Sequence, residues 1–244
     1  MAKRRFAVTL VVGLLAACFV ALGFWQLDRL AQRRAANARI LARLEQPALR
    51  LDGAPLDPAG ADLRRGIVRG TYDYDHEVVL RNQTHNELPG VDLLTPLRIE
   101  GSDDAVLVNR GWIPFEMSQP GQRGVFRAEA GLVEVQGILR SSRTRPSRFA
   151  PADPTPIPGQ TGLDAWLRVD IDRIQEQVPY RLLPVFLEQE AQPQTPSQRR
   201  FPRPEPEVSL SEGPHLFYAG QWFAFAALLV GGYVAQIVKR AAGN

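Results

Sequence analysis

The chain has 244 residues, 45% of them hydrophobic, and carries 29 Lys and Arg against 26 Asp and Glu, a net charge of +3. So small a surplus gives no argument for nucleic acid, and Cys18, the only cysteine, rules out an intramolecular disulfide or a multi-cysteine metal site. A mean hydropathy of -0.18 hides two apolar windows, one at each end, with ordinary soluble sequence between them.

Residues 6–27 hold no charged side chain, and at 1.5 Å per residue the run covers about 33 Å, enough to cross a bilayer. Residues 1–27 are therefore expected to form a transmembrane anchor. Two processing signals compete with that reading. Lys3, Arg4 and Arg5 before an apolar core fit a cleaved signal peptide, and Leu15, Ala16, Ala17 and Cys18 fit a lipoprotein cleavage box. The run continues past Cys18 through Phe19, Leu22, Phe24 and Trp25, which favours an intact anchor. Leu27, Leu30, Ala31, Ala35, Ala38, Leu41 and Leu44 keep helical spacing, so a juxtamembrane helix over 28–47 is expected to leave the bilayer and stop at Pro47.

Residues 48–192 read as a β-rich domain. The stretch 49–63 has loop composition. Over 67–81, Tyr72, Tyr74, His76, Val78 and Leu80 alternate with Thr71, Asp73, Asp75, Glu77 and Val79, the period of a strand with one buried face. Further strands are expected at 91–99, 105–113, 132–139, 166–169 and 183–187, with one helix at 171–177. Short strands without alternating long helices imply an antiparallel sheet or partly closed barrel. Prolines mark a loop over 146–158 and a tether over 193–214 that returns the chain to the membrane.

The second apolar run, 216–238, contains only Gln221 and Gln236 as strongly polar side chains, and a transmembrane helix over 215–238 with a tail at 239–244 follows. Lys239 and Arg240 directly after it place the C-terminus in the cytoplasm, and two spans put the N-terminus there too. Arg29, Arg33, Arg34, Arg39 and Arg43 lie on the outside in this arrangement. They oppose the assignment only locally, since long domains translocate largely regardless of charge. The fold class is thus an α+β membrane protein, two transmembrane helices flanking an antiparallel β-rich extracytoplasmic domain.

No phosphate loop, nucleophile elbow, zinc spacing or pair of histidines at helical separation occurs, and no hydrolase constellation is expected. His76 reads as a core or edge residue and His85 as a solvated turn residue. Asp73, Asp75 and Glu77 alternate as calcium ligands would, or as a solvated strand face does. Arg140, Arg143, Arg145 and Arg148 form either a docking patch or a solvated loop. His215 differs, since an ionisable side chain in the first turn of a membrane helix is costly there. With Tyr218, Trp222 and Phe225 it forms one stripe at spacings of three, four and three. Two readings fit: an axial ligand for haem iron above an apolar wall, or an interfacial aromatic belt with His215 as a cap. The residues alone favour the belt. Gln221 is expected to bond the first span, with Gln26 as its candidate partner.

Three motifs together resemble the surfeit-locus family of cytochrome c oxidase assembly factors. Leu22, Gly23, Phe24, Trp25, Gln26, Leu27, Asp28 and Arg29 stand at the exit of the first span. Arg69 to Tyr72, Thr95 to Leu97 and Val108 to Pro114 form the central block, and Gly213, Pro214, His215, Leu216, Tyr218, Ala219, Gln221, Trp222 and Phe223 enter the second span. The resemblance implies a non-enzymatic protein that binds haem a transiently and presents it to the oxidase catalytic subunit. It implies His215 as the ligand to haem iron, with Tyr218, Trp222 and Phe225 beside the macrocycle. It also makes haem a synthase a candidate partner. A haem-free scaffold that stabilises an oxidase subunit is the competing function. The short N-terminus, without an Arg- and Ser-rich transit region, points to a bacterial plasma membrane.

Overall fold

The structure, a computed structural model, describes residues 2–127, 131–144, 147, 149–152, 162–191, 201–204, 206 and 208–242. Two compact units result, Met1–Leu41 with Ser209–Asn244, and Ala42–Val208.

The first unit is built on two helices, α1 (Ala2–Leu44) and the C-terminal helix His215–Ala242. Both are long and apolar enough to cross a membrane. They pair antiparallel, because contacts rise along one helix as they fall along the other. Gln26 meets His215, Phe24 meets Phe223 edge-on at 5.4 Å, Phe19 stacks on Trp222 at 5.7 Å, and Thr9 bonds Tyr233 at 2.5 Å. Small residues allow the approach: Ala219 and Ala226 are buried, and a Cβ on Gly23 would fall 2.5 Å from the Phe223 ring. Away from this seam Phe6, Leu10, Leu14, Trp25, Leu228 and Val238 lie exposed, as side chains facing lipid would.

The second unit is β-rich. In chain order it has β1 (Leu49–Leu51), α2 (Pro58–Ala61), β2 (Arg65–Tyr72), a 3-10 turn (Tyr74–His76), β3 (Val78–His85), β4 (Leu88–Ile99) and β5 (Ala105–Pro114). Two 3-10 turns (Phe115–Met117, Pro120–Phe126), β6 (Val133–Ser141), β7 (Ala165–Trp166), α3 (Ile171–Gln175) and β8 (Leu182–Gln189) follow, and the C-terminal helix becomes α4. β2 pairs with β6 over Arg65 to Gly70 and with β4 over Gly70 to Tyr72, so strands β2, β6, β8, β5 and β4 close into a five-stranded barrel. Most neighbours are antiparallel as expected, but β5–β8, β1–β2 and β3–β7 are parallel.

Strand period explains the core. Val106, Val108, Leu183, Val185 and Leu187 join Leu97, Leu139 and Val68 in one cluster, while Ala105, Leu107, Leu182 and Phe186 join Trp166, Ile171 and Ile174 in another. β5 and β8 are thus buried on both faces, which is why Ala105 to Val108 is continuously apolar. A register shift between Leu93 and Leu94 lets β4 serve a third cluster with Val79, Val91 and Ile113.

Two expectations need correction. The alternation over 67–81 is not one strand, because Asp73 accepts from the Asp75 backbone N–H and caps the turn Tyr74–His76. The loop expected at 49–63 contains β1 and α2, started by Asp57, which accepts from Ala59 and Gly60. Of the proline-rich segments, Arg145, Pro146, Arg148 and 153–161 lie outside the described residues, as do 192–200. Phe201 to Pro204 lies against the barrel, where Arg203 and Trp112 exchange both backbone hydrogen bonds at 2.9 Å.

Candidate functional site

The second unit uses most of its conspicuous polar residues structurally. Arg110 is buried and donates to Glu77 at 3.0 Å and to the Phe126 carbonyl, with its guanidinium over the rings of Tyr72 and Tyr74. Glu77 also accepts from Thr95 at 2.5 Å. The acidic trio therefore does not act together. Glu77 belongs to this pair, Asp73 accepts from Tyr180 (2.7 Å) and pairs with His76 (2.8 Å), and Asp75 is exposed. His76 stands in the 3-10 turn, not on a strand. His85 is not a solvated turn residue, since its Nε2 lies 2.7 Å from Arg203 and its ring 5.3 Å from Trp112. Arg140 and Arg143 share buried Glu188. Among the described residues no cluster of three or more His, Cys, Asp or Glu could hold a metal ion.

The first unit holds the other candidates. His215 opens α4 directly after Gly213, at φ +72°, and Pro214, whose carbonyl accepts the Tyr218 N–H at 3.1 Å. Its half-buried imidazole has Nδ1 2.8 Å from Gln26 Oε1, and among the described residues no protein group bonds Nε2. Gln26 thus meets His215, not Gln221. The four stripe residues are not gathered equally. Trp222 and Phe225 meet at 5.9 Å and both contact Phe19, at 5.7 and 6.1 Å. Tyr218 is exposed and its ring neighbour is Phe217. The segment before His215 is tied to α1: Asn37 donates to the Leu210 carbonyl at 2.6 Å, and Arg34 clamps Glu212 with two bonds of 2.9 Å. Sequence reading missed Phe19, Asn37 and the Arg34–Glu212 pair. Only Gln26, an uncharged polar residue closing an apolar run, carried a local signal.

The model of the SURF1 family, the surfeit-locus family named above, matches residues 13–227. The chain belongs to the SURF1 family. A SURF1-like protein of Monosiga brevicollis is 27% identical over 233 residues, covering 91% of this chain and 84% of its own length. SURF1-like proteins of Drosophila melanogaster (26%, covering 90% and 74%) and Rickettsia bellii (25%, covering 92% and 88%) are similar over the same extent. The family match runs from within α1 through the barrel into the first half of α4, so His215, Gln26 and the aromatic contacts between α1 and α4 all fall inside it.

Proposed function

We propose that the chain is an assembly factor for cytochrome c oxidase in a bacterial plasma membrane, one that takes up haem a transiently and presents it to the catalytic subunit. It acts without catalysing a reaction of its own, and haem a synthase is the partner that would supply the cargo. Membership of a family of oxidase assembly factors supports the general role, and the Rickettsia relative supports the bacterial setting. The observation that carries the haem reading is His215, an imidazole at the head of an apolar helix with Nδ1 engaged and Nε2 free of protein partners among the described residues. Such a nitrogen is a donor for haem iron. Trp222 and Phe225 offer apolar ring surface for the macrocycle, and Tyr218 offers an exposed ring one turn from the ligand. A farnesylated haem is very apolar, and a carrier already in the bilayer need not enclose its tail. A single side-chain ligand would suit a cargo that must be surrendered.

The test is His215→Ala in cells that make haem a. The variant should lose the Soret band while its abundance and membrane insertion stay unchanged, because one interfacial side chain adds little to the insertion energy of a span. A variant as rich in haem as the parent, or a parent that carries none, would leave the haem-free scaffold as the function.

A further inference from the structure

Gln26 lies on α1, and its carboxamide reaches across to a ring that begins a different helix. We infer that Gln26 is a positioning residue that selects the tautomer of His215, an inference that rests on His215 being the iron ligand. The carboxamide turns its Oε1 toward Nδ1 at 2.8 Å, and because an amide oxygen only accepts, in this orientation Nδ1 carries the hydrogen. The opposite tautomer would require the carboxamide to turn over and donate its NH2 to Nδ1 instead. With Nδ1 protonated, the Nε2 lone pair is the one presented to a metal, and the hydrogen bond makes it a better donor.

The surroundings fix that geometry. Asn37 and Arg34 hold Leu210 and Glu212 to the same helix that carries Gln26, and Gly213 accepts its turn at φ +72° with its N–H on Ser211 Oγ at 3.1 Å. The chain therefore enters α4 from a tied segment, and the ring meets Gln26 without a search. A Cβ on Gly213 would lie 3.4 Å from Cδ2 and 3.5 Å from Nε2, in contact with the Nε2 edge of the ring, and glycine leaves that edge open. The acceptor is a neutral amide. A carboxylate in its place would push the imidazole toward imidazolate and hold iron more tightly, which suits a resident cofactor; the amide orients the ring and leaves the cargo releasable.

The experiment reads the ring nitrogens directly. Full-length haem-free protein labelled with 15N-histidine is examined by NMR in lipid nanodiscs at mildly alkaline pH, where imidazole is neutral. The His215 signals are assigned by their absence from His215→Ala. The parent should show a protonated Nδ1 and a bare Nε2. Gln26→Met, similar in length but with only a weak sulfur acceptor, should shift the population toward the other tautomer and weaken haem retention about 10- to 100-fold. Gln26→Glu should restore the Nδ1–H form and lower the reduction potential of the bound haem. A parent found in the Nε2–H form overturns the inference without any variant, and so does an unchanged tautomer in Gln26→Met. Failure of the haem reading looks different: His215→Ala then keeps its haem, whatever tautomer the parent shows.

Discussion

Gly111 has φ +112°, and a Cβ there would lie 2.1 Å from the Arg203 carbonyl oxygen, so both conformation and space require glycine. Gly111→Ala should lower the melting temperature and abundance. The conformational strain alone costs about 1–3 kcal/mol, and assembly should fall in proportion to abundance; full abundance with assembly lost would mark the turn as an interaction surface instead. The Arg110–Glu77 pair, with both side chains about 5% exposed, makes a second case. Arg110→Met or Glu77→Gln should each cost about 3–5 kcal/mol by leaving a buried partner unmatched, and the double variant less than their sum. Simple additivity in chemical denaturation would show that the two are not coupled. Burial opposes ionisation of Asp73, but hydrogen bonds from Tyr180 and His76 outweigh it and hold the carboxyl below its ordinary value. A carboxyl depressed in the folded state adds stability above its unfolded pKa, and that stability is lost as pH falls through the folded value. The melting temperature should therefore decline on the acid side, less steeply in Asp73→Asn. Identical acid limbs would remove Asp73 as the cause.

Among the elements, the α1–α4 pair depends on how closely the two backbones approach. Gly23 lies against the Phe223 ring, and that ring also meets Phe24. Gly23→Leu should push Phe223 aside, separate the helices near Gln26 and reduce haem retention along with thermal stability in detergent. Phe223→Ala in the same chain should recover part of the loss. No recovery would mean that Gly23 is needed for something other than this contact. The long α1 was readable from its spacing, and it runs to Leu44, three residues before Pro47. β5 and β8 were readable too, but their burial on both faces was not, since a short apolar run carries no sign of a second layer.

For the chain as a whole, the charge pattern argues for both termini in the cytoplasm and the barrel outside it. Reporter fusions at Asn86 and at the C-terminus should then give opposite compartments; equal compartments would remove the two-span arrangement. Labelled palmitate should not attach at Cys18, and a label lost in Cys18→Ser would establish the lipoprotein alternative.

Helices and strands were legible wherever local periodicity decides them, which covers α1, α4, the main strands and α3. The alternation over 67–81 failed because period 2 does not register a capping side chain, and Asp73 ends the strand by bonding its own backbone. His215 stood out as a polar residue in an apolar helix, but the residues alone favoured an aromatic belt over a ligand there. Its partner did not stand out, since Gln26 is 189 residues away and polarity paired Gln26 with Gln221 instead. Barrel closure shared that difficulty: β2 divides its edge between β6 and β4, and β5 lies parallel to β8. Composition and spacing determine which segments are helix, strand or span, because those depend on neighbours a few residues apart. Which strand closes the ring, and which side chain orients the imidazole, depend on distances between segments far apart in the chain, and only tertiary packing sets them.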